Sequence, residues 1–170
     1  SVYVSYSNSL LNEYALRTTP FVVKTASQMG QPTCIANFTI AQGETRPLNL
    51  KVGMLGASAS SPKQFFIDLG DGNRKSYTTT SNIVNIANEN KLNLQVSPGA
   101  NVKIYIPEGD VLTGLSTSDI ALSAVDLTKA TELRYLELSG CSLDSISLLY
   151  NRCLEDLNLS HNRLTRLDLS

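Results

Sequence analysis

The chain has 170 residues, 42% of them hydrophobic and 17% charged, with a formal net charge of -1 at pH 7. That balance lacks the basic excess needed to hold a phosphate backbone, so nucleic acid is not an expected partner. No stretch approaches the roughly 18 consecutive apolar residues of a bilayer span, so membrane insertion is not expected either.

Residues 1–32 read as an N-terminal extension. Ser1 to Pro20 lack the apolar run of a signal peptide, so any export signal would already have been removed from this chain. Ser7-Asn8-Ser9 offers N-caps for a two-turn helix over Leu10–Arg17, with Leu10, Leu11 and Tyr14 on one side. Gly30 and Pro32 then mark a loop.

From residue 33 to 106 the pattern is that of a β domain. Cys34–Ile40, Leu48–Met54, Gln64–Leu69, Ser76–Thr79, Ile83–Ala87, Leu92–Val96 and Val102–Ile106 are the expected strands, separated by turn signals. Leu48-Asn-Leu-Lys-Val, Leu92-Asn-Leu-Gln-Val and Val102-Lys-Ile-Tyr-Ile each alternate apolar and polar residues, as half-buried antiparallel strands do. So many short strands in so short a span favour a small antiparallel β-sandwich-like domain. Asp71-Gly72 suits the positive φ angles of a tight hairpin. Asp68, Asp71 and Asn73 lack the alternating ligand spacing of a calcium loop, so turn stabilisation is their expected role and no metal is expected. Ile67-Asp-Leu-Gly-Asp-Gly-Asn resembles the I-D-W-G-D-G-T hairpin of PKD-like, immunoglobulin-type domains, with Leu69 in place of the tryptophan.

Residues 107–170 carry a repeat of 21 residues. Leu112, Leu133 and Leu154 open its three copies. Leu115, Leu136 and Leu157 stand three places on, and Thr117, Leu138 and Leu159 five places on. Ile120, Cys141 and Asn162 follow at the eighth place, Leu122, Leu143 and Leu164 at the tenth, Val125, Ile146 and Leu167 at the thirteenth. This L-x-x-L-x-L-x-x-N/C-x-L spacing is a leucine-rich-repeat signature, and it implies a short solenoid whose strands, Leu115–Thr117, Leu136–Leu138 and Leu157–Leu159, stack in a parallel sheet. The fold class expected for the whole chain is therefore mainly β. Counting back one repeat, Leu94, Val96, Ile104 and Ile106 match the pattern, so the β domain is expected to end as an imperfect first coil that seeds the stack through Val102–Ile106.

Leu157-Asn-Leu-Ser-His-Asn-Arg-Leu-Thr-Arg-Leu-Asp-Leu-Ser is similar to the L-T-x-L-D-L-S repeats of surface proteins of gut Bacteroidetes, in which a β domain with an I-D-W-G-D-G hairpin often precedes the repeats. The resemblance implies a cell-surface, periplasmic or secreted location. It also gives Asn162 the role of turning its amide inward to satisfy backbone groups at the bend after the strand. Ile120 and Cys141 cannot do the same, so the first two turns need other partners.

Side chains between the leucines should point out of the core. Tyr135, Glu137, Asp156, Asn158 and His161 form the candidate face, with Tyr135 beside Asp156 and Glu137 beside Asn158, a composition suited to a protein or glycan ligand. Cys141 reads as a small buried side chain, and Asp71, Gly72 and Asn162 as structural residues. Cys34, Cys141 and Cys153 form no C-x-x-C pair, and one histidine with scattered cysteines cannot assemble a zinc site. No cofactor is implied. Ser160 and His161 raise a hydrolase reading, but adjacent residues at a strand end are expected to turn their side chains apart. The function expected is binding without catalysis, with a structural spacer as its rival. Leucines on an unprotected last coil should favour self-association.

Overall fold

The computed structural model describes residues 30–82 and 91–168. The expected helix at Leu10–Arg17 and strand at Ile83–Ala87 lie outside the described residues. Two compact units are present, Ser1–Gln31 and Pro32–Ser170. The second is mainly β, and no helix occurs among the described residues.

Its first half contains β1 (Thr33–Ile40), β2 (Leu48–Met54), β3 (Lys63–Asp68), β4 (Arg74–Thr79), β5 (Leu92–Leu94) and β6 (Asn101–Ile106). Alternation of side chains explains the choice of faces. In β2, Leu48, Leu50 and Val52 are buried while Asn49 and Lys51 are half exposed. In β6, Val102 and Ile104 are buried and Asn101 is exposed. Phe38, Ile40, Phe65 and Ile67 add the large core side chains of β1 and β3, supplying the apolar burial that drives collapse.

The second half contains β7 (Leu112–Ser118), β8 (Leu122–Asp126), β9 (Tyr135–Ser139), β10 (Ser145–Ser147), β11 (Asp156–Asn158) and β12 (Arg166–Asp168). β7, β9 and β11 run parallel, with Leu115 opposite Leu136 and Leu136 opposite Leu157. Each step is one 21-residue repeat. β10 and β12 also pair in parallel, with Ile146 opposite Leu167. β8, β10 and β12 are strands that the sequence does not announce, although Val125, Ile146 and Leu167 within them fill the thirteenth-place apolar column.

Neither long sheet stops at residue 107. One has the order β11-β9-β7-β2-β5, the other β4-β3-β6-β1-β8. The expected boundary between residues 106 and 107 falls inside the second unit, where the amide of Asp110 donates to the Pro107 carbonyl. Buried residues of both sheets belong to one hydrophobic cluster, running from Ala36 and Phe38 to Ile146 and Leu148.

The expected seeding of the stack through Val102–Ile106 is corrected. β6 pairs with β1 and β3, whereas β7 lies against β2, with Val52 opposite Leu115. β2 is antiparallel to both β5 and β7, and β1 is antiparallel to both β6 and β8. Residues 92–106 therefore run in the same directions as the coil that follows. One earlier strand is inserted between the two in each sheet.

The β3–β4 connection also differs from the tight hairpin expected at Asp71-Gly72. Asp68 pairs with Arg74, leaving a loop over 69–73. Positive φ falls on Gly70 and Gly72, at 99° and 80°, and not on Asp71. The buried Asp68 carboxylate accepts the amides of Gly70 and Gly72 at 2.8 and 3.0 Å, and Asp71 accepts the Asn73 amide at 3.0 Å. Asp68 thus ends the ladder and holds the longer loop closed through its side chain.

Candidate functional site

Parallel pairing puts Tyr135 beside Asp156 and Glu137 beside Asn158, on the side of the sheet opposite the buried Leu136. Tyr135 and Glu137 are half-buried, while Asp156, Asn158, Ser160 and His161 are exposed or nearly so. Glu137 is the hub. Its Oε2 accepts Ser116 Oγ at 2.8 Å and Tyr135 Oη at 3.3 Å; its Oε1 accepts Asn158 Nδ2 at 3.4 Å and Ser139 Oγ at 3.5 Å. Ser116 is buried and supports Glu137 from the preceding strand. Burial, and then the neighbouring Glu137 carboxylate, pushes the Tyr135 phenol up to about 12. The phenol is therefore a neutral donor at physiological pH, with its ring fixed next to a line of acceptors.

His161 occupies a different kind of position. It has φ 56°, and Gly140 and Asp119, one and two repeats earlier at the same place, have φ 64° and 55°. One left-handed residue thus closes each strand. Glycine suits this φ at position 140, and an added Cβ there would lie 2.6 Å from Asp119 Oδ1, a side-chain end that would have to move aside. The left-handed turn also brings His161 Nδ1 to 3.2 Å from Ser160 Oγ, contrary to the expectation that these side chains point apart. Alternation in an extended strand does not apply to a left-handed residue. Ser160 Oγ lies 2.7 Å from Asn158 Oδ1, so its hydroxyl is already engaged with an amide.

The turns are held from two sources. Asn162 Oδ1 accepts the amides of Cys141 and Leu143, both at 3.0 Å, while its Nδ2 donates to the carbonyls of Leu138 and Leu159. A single side chain thereby serves its own repeat and the one before. Asn151, which the sequence reading overlooked, repeats the device: its Nδ2 donates to Leu127 and Ala130 at 2.9 and 2.8 Å. Both asparagines reach groups 21 and 24 residues earlier. The alignment of Asn151 with Ala130 in the repeat was the available signal. At the first turn, the β1–β2 loop supplies the partner: Glu44 Oε2 accepts the Ala121 amide at 2.6 Å, and Glu44 also binds Arg46. This carboxylate lies far from the repeats in sequence, and no local pattern marks it.

Compared with known proteins, the chain matches no family, no curated protein and no solved structure. Its own geometry is therefore what bears on function. Cys141 is fully buried, and burial pushes its thiol up to about 11, the wrong direction for a nucleophile. Burial also raises the Cys34 thiol, at a small cleft lined by Cys34, Ile35, Ala36, Asn37, Asp126 and Lys129. No group of three or more His, Cys, Asp or Glu side chains is disposed to hold a metal ion among the described residues. The Tyr135–Glu137 row brings together an aromatic ring whose phenol is bonded to Glu137 and the exposed carboxylate and amide of Asp156 and Asn158.

Proposed function

We propose that this protein binds a protein or glycan ligand without catalysis, using the outward face of a short leucine-rich-repeat solenoid supported by the preceding β domain. The supporting observation is the hydrogen-bonded placement of Tyr135 by Glu137 next to the exposed Asp156 and Asn158. A ring held in one orientation loses little entropy on binding, and the surrounding acceptors suit hydroxyl or amide donors. The resemblance to Bacteroidetes repeat proteins supports a bacterial cell-surface or periplasmic setting.

One observation favours a spacer instead. All the donors around Glu137 belong to the protein itself, so that carboxylate already has its partners without a ligand. Glycan and peptide arrays probed with wild type and with Tyr135→Ala/Asp156→Ala distinguish the readings. Binding predicts a saturable signal that the double variant loses. Equal signals, or none from wild type, would leave the spacer as the better account. A hydrolase using His161 would instead require turnover that disappears in His161→Ala.

A further inference from the structure

The outward face of the sheet β4-β3-β6-β1-β8 gathers basic side chains around one point. Arg74 belongs to β4, but its guanidinium crosses β3 and lies 3.9 Å from the ring centroid of Tyr105 on β6. Stacking of this kind fixes the plane of the guanidinium and leaves its N–H fork open at the rim. Tyr105 stands opposite Cys34 of β1, and Lys103, two residues back on the same face of β6, stands opposite Asn37. On the far side of β1, Asn37 meets Asp126 of β8, and Lys129 follows three residues later. Cys34 is thus flanked by Arg74 and Lys103 on one side and by Lys129 on the other, at the cleft that Lys129 and Asp126 line.

None of the three cations has an ion-pair partner among the described residues. Their charges converge, because Lys129, Lys103 and Arg74 all act on the Cys34 thiol. Burial outweighs them and pushes that thiol up, so Cys34 does not neutralise them. The one carboxylate acting at the same point, Asp126, is bonded to the amide and hydroxyl of Thr128 at 3.0 and 2.7 Å and to Asn37 Nδ2 at 3.4 Å. Three cations against one carboxylate leave two positive charges around the cleft. Its volume, about 60 Å³, decides the size of what fits. At the roughly 10 to 15 Å³ that one water needs, it admits a few waters or one compact group, and neither a sugar ring nor a peptide segment. We propose that this cleft binds a single doubly charged oxyanion, the phosphate of a small ester or the free ion, with Arg74 as its bidentate donor and Lys103 and Lys129 as point charges. The site is separate from the Tyr135–Glu137 row and does not depend on a ligand there.

The test is an NMR titration of the full chain with sodium phosphate and with glycerol 3-phosphate, each against sodium chloride at matched ionic strength. Saturable shifts of the Ile35, Asn37 and Thr128 amides are expected, with a Kd of about 1 mM. The tighter of the two probes tells whether the ester or the free ion is the source of the group. Arg74→Gln and Lys103→Gln should each weaken binding about threefold, and together about tenfold, as expected for partly exposed charge pairs. Asp126→Asn removes the opposing charge and should tighten binding about threefold. That variant keeps an oxygen for the Thr128 amide, and circular dichroism melts establish that each protein is folded. Shifts that chloride reproduces, an affinity indifferent to Arg74→Gln/Lys103→Gln, or weaker binding by folded Asp126→Asn would overturn the proposal.

Discussion

At the scale of single residues, an exception to the repeat is either left with its cost or supplied with partners from elsewhere. Thr117 stands in the column of Leu138 and Leu159 and is 1% exposed, and its hydroxyl finds no hydrogen-bond partner among the described residues. Thr117→Val keeps the shape and removes the orphaned hydroxyl, so it should stabilise the protein by about 1 kcal/mol in urea unfolding. Unchanged or lower stability would mean that the hydroxyl is satisfied. Glu44 illustrates the opposite case of a buried charge with its partners in place. Its bond from the Arg46 side chain, reinforced by the amides of Ala121, Arg46 and Thr45, holds the carboxyl at about 2, below its ordinary 4.5. The folded state therefore binds fewer protons than the unfolded one in this range. Its stabilisation is complete above the ordinary value and is lost as pH falls toward 2. The difference in Tm between wild type and Glu44→Gln should accordingly be largest near neutral pH and shrink through that acid window. A difference independent of pH would refute the assignment.

At the scale of strands and turns, legibility followed periodicity. Leu48–Met54 and Cys34–Ile40 were readable because one face of each strand enters the core. The parallel strands β7, β9 and β11 were readable because Leu115, Leu136 and Leu157 recur at a fixed interval. Pairing partners were less visible, since alternation reports which face is buried but not which neighbour lies alongside. Hence Val102–Ile106 reads as the strand that seeds the stack, when β2 lies between β5 and β7 and β1 between β6 and β8. The turn role of Asn162 could be proposed from the repeat, but its reach into the previous coil needed coordinates. Because Asn162 serves backbone groups of two coils, Asn162→Ala leaves several of them unpaired and should cost about 2 to 3 kcal/mol in chemical denaturation. A loss below about 0.5 kcal/mol would show that water replaces the amide without penalty.

Within the unit Pro32–Ser170, the inserted strands make the repeats an extension of the β domain. β2 lies between β5 and β7, β1 lies between β6 and β8, and one apolar cluster contains residues from both halves. Leu136→Ala in the repeats should cost about 2 to 5 kcal/mol and Phe38→Ala in β1 about 3 to 5 kcal/mol. Both should lower the same single transition, whether followed by tyrosine fluorescence or far-ultraviolet circular dichroism. Two separated transitions, each sensitive to one substitution, would contradict a shared core. Such a frame can hold a polar face in place without contributions from that face, which is why the exposed Asp156 can be altered independently of the fold. Tyr135 is half-buried, so its substitution needs a stability control. The most direct measurement is calorimetric titration of an array-selected ligand into wild type and Tyr135→Ala/Asp156→Ala, with melting curves taken in parallel. Saturable binding to wild type, at least tenfold weaker in the variant (about 1.4 kcal/mol) while folding is retained, is the predicted result; equal affinity in both folded proteins would contradict the assignment of this face as the binding surface.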